Sequence, residues 1–392
     1  MQGSQAVFTT QNDRVTKTYT DLEINKLSSV EHELDMFNKF SESKYCPMIH
    51  EKISDGYIMQ KYDFSLGSPM GIDENSIRKL LFFSPDAINQ LQEIQTDLKK
   101  YKIIHMDINP GNLLYSIKDR CLKLIDFYWS AEEGLESISI PGINGIYKED
   151  DHAFTKLENE IQTIKDKINK ELILNEEAFN NIGVKYLDGS SVNKGYAYHV
   201  LPYLSNIKVH KLNCIEEYRV VKKHIDFPVK KVNDIGCAQG YFVFNMLRDY
   251  GANINGWEAD PYVNNFLSGL VDIFNLKDYI TIDHSFDDTT ILSPSDVTIF
   301  LNSHMWLHKQ LGTERTETLM RNIAATTDIM FFQTAHALSS SMYLVKYLEN
   351  EIDIISMLKR CGFRDIVRIS ISTHGKLRYM FKCKGMLSLN ID

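Results

Sequence analysis

The chain has no apolar run near the roughly 18 residues that suggest a membrane span. Its start lacks the basic region and apolar core of a secretory leader. These absences predict a cytoplasmic protein, at most peripheral to the inner face of a membrane. The six cysteines (Cys46, Cys121, Cys214, Cys237, Cys361 and Cys383) are scattered. None forms a C-x-x-C or Cys/His cluster with zinc spacing, which excludes a structural metal of that kind and fits a reducing compartment. Positive charge is also short: 43 Lys and Arg stand against 52 Asp and Glu, a net charge of −9. General attraction to nucleic acid is therefore missing, since Lys and Arg supply most of that affinity, and only a local basic groove would hold RNA. Repeats and low-complexity tracts are absent as well.

What is present is enough chain for two domains, or three at most, with 392 residues, 43% of them hydrophobic and 24% charged. Residues 1–65 read as strand-rich with one helix. Short β-type runs at 3–8 and 14–19 flank a polar turn at Gln11-Asn12-Asp13. Ser28-Ser29 is placed to cap a helix through Val30, Leu34, Phe37 and Phe40, ended by Pro47; a strand follows at 57–62. Ile88, Leu91, Ile94 and Leu98 mark another helix. From 154 to 174, Leu157, Ile161, Ile164, Ile168 and Leu172 recur every three or four residues. This is a helix closing or joining domains, with fewer heptads than a coiled-coil seam wants. After 185 the pattern turns to alternating strands and helices, which implies a parallel, doubly wound sheet. Strands are expected at 229–235, 254–257, 296–301 and 329–333, and a helix at 241–250. A helix at 352–360 and strands at 366–372 and 377–383 close the chain. The expected division is 1–153, a linker at 154–184, and 185–392.

Two motifs carry chemistry. The first is His105-Met106-Asp107-Ile108-Asn109-Pro110-Gly111-Asn112, followed by Leu124-Ile125-Asp126-Phe127. The His-x-Asp-x-x-x-x-Asn spacing resembles a kinase catalytic loop, which implies a base at Asp107 and a metal ligand at Asn112 on one rigid loop, with Asp126 as the second ligand to Mg2+. This half resembles a compact protein-kinase-like fold of the kind found in small-molecule, antibiotic and lipopolysaccharide kinases. The resemblance implies ATP as phosphoryl donor, with Lys17 gripping the α- and β-phosphates. Glu33 is its favoured ion-pair partner and Glu31 the rival. Lys61 lies in the adenine-binding hinge 59–62, and Gly3 and Ser4 are a reduced phosphate loop. In Asp150-Asp151-His152-Ala153, Asp150 is preferred as the acid that braces the catalytic loop. Tyr128 stands where the glycine after Asp-Phe is usual. Asn109 stands where protein kinases carry lysine, and a protein kinase's large substrate lobe is missing before 175. A carbohydrate or other small hydroxyl acceptor fits better than a protein.

The second motif is Asp234-Ile235-Gly236-Cys237-Ala238-Gln239-Gly240, between a strand and a helix, with Glu258 about 20 residues on, as a Rossmann-like unit wants. It resembles motif I of class I methyltransferases, which implies S-adenosylmethionine. Asp234, Gly236, Cys237 and Gly240 would form the cofactor loop, Glu258 would bind the ribose hydroxyls, and Asp287 or Asp283 the adenine amine. His304 and His308 fall after the fourth strand, where such enzymes place active-site residues; His304 is the candidate catalytic group and His308 a substrate contact. Arg219 and Arg378 are candidate anion contacts.

The whole chain thus reads as an α+β kinase-like domain followed by an α/β Rossmann-like methyltransferase domain. It resembles the chain-terminating enzymes of bacterial O-antigen synthesis, which phosphorylate a terminal sugar and then methylate that phosphate, although here the kinase motif comes first. That resemblance implies a glycan substrate and glycosyltransferases of the same pathway as partners. A nucleotide, RNA or natural product as acceptor, or an ATP-sensing first domain beside an active methyltransferase, are the alternatives.

Overall fold

The computed structural model describes residues 6–19, 26–132, 150–182, 196–197, 208–209, 213–334, 348, 350–372 and 378–387. It is a mixed α/β protein in two compact units, Met1–Asn169 and Lys170–Asp392. The boundary falls inside the stretch assigned to a linker from sequence.

In the first unit, β1 (Ala6–Gln11) and β2 (Arg14–Tyr19) form a hairpin whose turn is closed by Asn12 at φ 56°, a left-handed position that Asn tolerates. Helix α1 (Lys26–Phe40) follows, then β3 (Ile49–Ile53) and β4 (Gly56–Gln60). These strands make an antiparallel sheet of order β1-β2-β4-β3. Ser28 and Ser29 lie within α1 rather than ahead of it. The helix ends at Phe40, well before Pro47, because Ser41 N and Ser43 N turn back onto the carbonyls of Asn38 and Phe40. Short strands β5 (Phe64–Ser65), β6 (Gly67–Ser68) and β7 (Gly71–Ile72) lead to α2 (Glu74–Phe83), which Asp73 caps, and to α3 (Ala87–Lys100). Leu91, Ile94 and Leu98 of α3 are buried, one stripe at helical spacing. After β8 (Ile103–Ile104) come β9 (Leu113–Ser116) and β10 (Cys121–Leu124), in a sheet of order β10-β9-β5, and β11 (Ala131–Glu132), which pairs with β8.

Helix α4 runs over Asp150–Ile182, longer at both ends than the 154–174 expected. Asp150 and Asp151 in its first turn suit the positive end of a helix dipole.

In the second unit a parallel pair, β12 (Tyr196–Ala197) and β13 (Lys208–Val209), precedes α5 (Asn213–Lys223). Then strands and helices alternate: β14 (Lys231–Ile235), α6 (Tyr241–Tyr250), β15 (Asn253–Trp257), α7 (Pro261–Ile273), β16 (Ile280–Asp283), β17 (Ser295–Leu301), α8 (His304–Thr326), β18 (Thr327–Thr334) and α9 (Glu351–Arg360). Strands β19 (Arg364–Ser372) and β20 (Arg378–Lys384) close the unit. All seven large strands join one sheet of order β16-β15-β14-β17-β18-β20-β19. The first five are parallel, and β20 inserts antiparallel beside β18. The order reverses between β14 and β17, the switch point outside whose carboxyl ends sheets of this kind hold ligands in a crevice. Helix α8 was not expected from sequence: Gly312, at φ 79°, breaks it and blurs its period. On one face of the sheet Phe300, Met330, Phe332 and Phe381 meet Leu319, Met320, Ile323, Ile354 and Met357 from α8 and α9.

Phe332 is fully buried in that layer. Phe332→Ala should cost about 3–5 kcal/mol of stability, read as a lower urea midpoint for the second unit's transition.

Candidate active sites

The first unit places its chemistry around one ammonium. Lys17, central in β2, is 1% exposed, with Phe8 and Tyr57 as its cross-strand neighbours. Its Nζ lies 3.0 Å from both carboxylate oxygens of Glu33 on α1 and 2.8 Å from Asp126 Oδ1. Glu31, two residues earlier on α1, instead meets Lys52 Nζ at 3.1 Å on the exposed surface. Glu33 also accepts from the hydroxyls of Tyr57, at 3.0 Å, and Tyr19. Burial alone would lower the Lys17 pKa, but Glu33 and Asp126 outweigh it and the net shift is upward, so the amine stays charged. Burial first, then the Glu33 charge, pushes both tyrosine hydroxyls up and keeps them donors.

Asp126 sits at φ 64°, ψ 63°, a left-handed conformation that costs a non-glycine residue energy. The next residue offsets it: Phe127 is buried against Phe37, Phe40 and His105, at ring distances of 4.9, 5.4 and 4.7 Å. His105 Nε2 donates to the Ile125 carbonyl at 3.0 Å, and its burial lowers its pKa. Asp150 accepts from the backbone N–H groups of His105 (2.7 Å) and Met106 (3.1 Å), so one carboxylate ties α4 to the loop.

Asp107 Oδ1 accepts from Asn109 Nδ2 at 3.0 Å and Oδ2 from Asn112 Nδ2 at 2.9 Å. Burial raises its pKa, while the two amides oppose that. With its N–H2 on Asp107, the Asn112 side chain leaves its carbonyl oxygen for a cation. The backbone bond from Ile125 N to Asn112 O, 3.0 Å, holds that residue beside the Asp126 segment. Two hard oxygen ligands from Asn112 and Asp126 suit Mg2+. Lys61 is exposed and its backbone N donates to Asp13 O at 2.8 Å. Gly3 and Ser4 lie outside the described residues.

The second unit's loop turns at the end of β14. Gly236 has φ 76°, and a Cβ there would fall 1.9 Å from Ser303 Oγ; Gly240 has φ 84°, and a Cβ there would fall 2.5 Å from Leu267 Cδ1. Both positions need glycine for conformation and for space. Gly236 N and Cys237 N both donate to Trp257 O, at 2.9 and 3.0 Å. Glu258, just after β15, accepts from Ala238 N (2.9 Å) and Asp260 N (2.8 Å), which anchors the loop to the neighbouring strand. Burial lifts the Glu258 carboxyl to about 7, against those N–H bonds. Burial, then the Glu258 charge, lifts Asp234 to about 8. Cys237 is buried and its thiol is pushed well up, so it is a packing residue of the loop and not a nucleophile.

His304 opens α8 and is 0% exposed, hydrogen-bonded through Nδ1 to Thr334 Oγ1 at 3.2 Å. Burial and the nearby His308 depress it to about 3, so it is neutral and weakly basic. His308 Nε2 meets Thr313 Oγ1 at 3.0 Å. The Arg378 guanidinium donates to Asn302 Oδ1. The structure thus brings His304, Arg378, Gly236 and Glu258 to one edge of the sheet. Arg219 is exposed and pairs with Glu216 at 3.4 Å. Asp287 is occupied in its own turn, accepting from Thr289 N and Oγ1 at 2.9 and 2.6 Å, while Asp283 is exposed. Sequence reasoning missed Tyr19 and Tyr57. The signal for Tyr19 was its position two residues past Lys17, on the same strand face.

No protein-family model and no curated protein matches the sequence. Among solved structures, the bifunctional kinase-methyltransferase WbdD aligns at 19% identity and TM-score 0.36, over 44% of this chain and 38% of its own. The N-terminal domain of EvdMO1 with SAH bound aligns at 11% identity and TM-score 0.35, over 46% of this chain and 88% of its own. The [4+2]-cyclase SpnF aligns at 10% identity and TM-score 0.36, over 44% and 81%. The chain therefore spans well under half the length of WbdD. At these scores the likeness assigns no role to any residue, and the reading below rests on the geometry above.

Asp234 and Glu258 give the second unit a pH signature. Both carboxyls are raised on folding, to about 8 and about 7, from unfolded values near 4. The folded state then binds more protons across that window, so their contribution to stability is present at low pH and is lost as pH rises towards 8. Asp234→Asn removes the larger shift. Urea midpoints measured from about pH 4 to about pH 8 should move steadily in the variant's favour as pH rises; a pH-independent difference would contradict the assignment.

Proposed function

We propose that the chain is a bifunctional enzyme. Its first unit transfers the γ-phosphoryl group of ATP to a hydroxyl, and its second unit methylates the resulting phosphate from S-adenosylmethionine. The observation that carries the reading is the placement of Lys17 between Glu33 and Asp126, with Asp107 and Asn112 on one braced loop. On this reading the first unit is a compact protein-kinase-like fold. The second is a class I methyltransferase, a reading supported by its strand order with the reversed last hairpin.

In the phosphoryl step Lys17 positions the nucleotide phosphates. Asp107, oriented by the amides of Asn109 and Asn112, takes the proton of the attacking hydroxyl. Two of the carboxylate's roughly four lone-pair sites remain free for it. Mg2+, held by Asn112 and Asp126, would neutralise charge on the transferring group. In the methyl step Glu258 suits the ribose hydroxyls, and the glycine backbone admits the methionine part. A phosphate oxygen attacks the methyl carbon as the carbon–sulfur bond breaks, and no proton has to move.

The acceptor we infer is the terminal sugar of a glycan, with glycosyl transfer as the reaction class that supplies it. Capping would then stop elongation. Among the described residues no helix is long and apolar enough to cross a membrane. Retention of Lys17, Asp107, Asn112 and Asp126 together argues against a first unit that only senses ATP.

With magnesium, γ-labelled ATP and candidate glycans, label should pass to the glycan. Asp107→Ala should slow that transfer by about 10²–10⁴-fold while ATP still binds. Tight ATP binding without turnover on any hydroxyl acceptor would instead favour a sensing unit. Separately, labelled S-adenosylmethionine without ATP should yield no methylated glycan; equal methylation with and without ATP would refute the sequence of steps.

A further inference from the structure

Buried polar atoms without a partner are few in folded proteins, because each gives up hydration for nothing. Among the described residues, the second unit's orphans gather at the carboxyl edge of its sheet. They are Asp234 Oδ2, Gln239 Oε1, His304 Nε2, and both the oxygen and the nitrogen of the Gln333 carboxamide; Asp328 Oδ1, at the opposite edge, is the exception. Asp234 and Gln239 belong to the cofactor loop, and His304 was singled out by its place after the fourth strand. Gln333 belongs to no motif. It is 1% exposed, yet neither end of its amide is satisfied.

Its position is informative. Gln333 pairs with Leu301 of β17 on one side and with Met380 of β20 on the other. Its own carbonyl accepts from Asn302 N at 2.8 Å, and Asn302 Oδ1 in turn accepts from Arg378. The next residue, Ser303, is the one that fills the space above Gly236. Asp234 is level with Ile299, and Ile299 with Phe331. Gln333, two residues past Phe331, therefore lies on the same face of the sheet as Asp234, nearer the crevice. A buried, unspent amide thus stands at the same edge of the sheet as the cofactor loop, two strands from it, with a guanidinium one strand away on the other side.

We propose that Gln333 is an acceptor-binding residue of the methyl-transfer site, its N–H2 donating to a non-bridging oxygen of a phosphate monoester that arrives ionised. This rests on reading the second unit as a methyltransferase. A carboxamide offers two donors to oxygens that only accept, and it adds no charge to compete for the sulfonium. A phosphate monoester already carries its charge near neutral pH. His304, the imidazole placed to serve as base, spends Nδ1 on Thr334 and is enclosed by the rings of Phe300 and Phe332. A hydroxyl acceptor would need its proton taken, whereas a phosphate monoester supplies its own electron pair. The new carbon–oxygen bond forms as the carbon–sulfur bond breaks, and the thioether keeps that pair.

The test uses the full chain loaded with S-adenosylhomocysteine and phenyl phosphate as probe, with binding measured by equilibrium dialysis and glutamine side-chain amides followed by nitrogen-15 NMR. Phenyl phosphate should bind the wild type and shift one amide pair, the pair missing from Gln333→Met. That variant should keep its affinity for S-adenosylhomocysteine and bind phenyl phosphate about tenfold more weakly, or worse, as loss of a hydrogen bond to a charged group implies. Gln333→Glu, equal in shape but negative, should weaken the probe further. Unchanged probe affinity in either folded variant, or no glutamine amide shift in saturated wild type, overturns the role of Gln333 and leaves the methyltransferase reading standing. Failure of the loaded wild type to bind phenyl phosphate overturns the acceptor class. Failure to bind S-adenosylhomocysteine at all overturns the methyltransferase reading, and this proposal with it.

Discussion

A buried ammonium cannot stay charged without partners, and Lys17 has two carboxylates within 3.0 Å. That requirement organises the first unit. Glu33 must face inward from α1, so the helix is fixed in rotation. Asp126 must reach the sheet, so the segment after β10 adopts its left-handed turn. Phe127, drawn into the aromatic layer of Phe37, Phe40 and His105, holds that turn in place. Tyr19 and Tyr57 supply the further donors that a buried carboxylate demands. A pair of opposite charges taken out of water contributes little net stability, since desolvation offsets attraction. Its effect here is positional: β2, α1 and the segment after β10 are held to one point.

The second unit is built on the opposite principle. Among its described residues the unsatisfied buried polar atoms, Asp328 Oδ1 apart, lie at the carboxyl edge, where the strand order reverses. Asp234 and Glu258 sit there with carboxyls raised to about 8 and 7, chiefly the cost of burying their charged forms. Such a concentration of perturbed and unpaired groups marks that edge as the candidate binding site. The glycines complete the case: at Gly236 and Gly240 a side chain would collide with Ser303 and Leu267.

Much of this was legible in the sequence because the responsible residues are close together along it. The catalytic loop, the glycine loop and its acidic partner each occupy a short span, and helix 241–250 was read with the bounds it has. Asp150 could be paired with the loop through the resemblance to a kinase, its spacing to Ala153 favouring it over Asp151, and its carboxylate does accept from His105 N and Met106 N. What could not be read depends on long-range contact. Lys17 and Asp126 are 109 residues apart, and nothing local distinguishes Glu33 from Glu31 until the helix is rotated against the sheet. Gln333 is an ordinary polar residue at the end of a strand; only the burial of its whole amide makes it conspicuous. Helix α8 was hidden by Gly312, whose break puts its two halves out of phase.

The two units also differ in the proton chemistry they allow, and that difference bears on the order of reactions. In the first, burial makes Asp107 a stronger base than a free carboxylate while two amides keep it oriented, as removal of a hydroxyl proton requires. In the second, the His304 imidazole is neutral and depressed to about 3, with Nδ1 committed to Thr334. Such a group is a poor base for a sugar hydroxyl. A methyl acceptor that already carries its negative charge removes the need for one, and Arg378 and Gln333 offer donors to its remaining oxygens. On the proposed reading, phosphoryl transfer would create such an acceptor from a neutral alcohol, and the first unit's product would have the ionisation state that the second unit's residues are suited to receive.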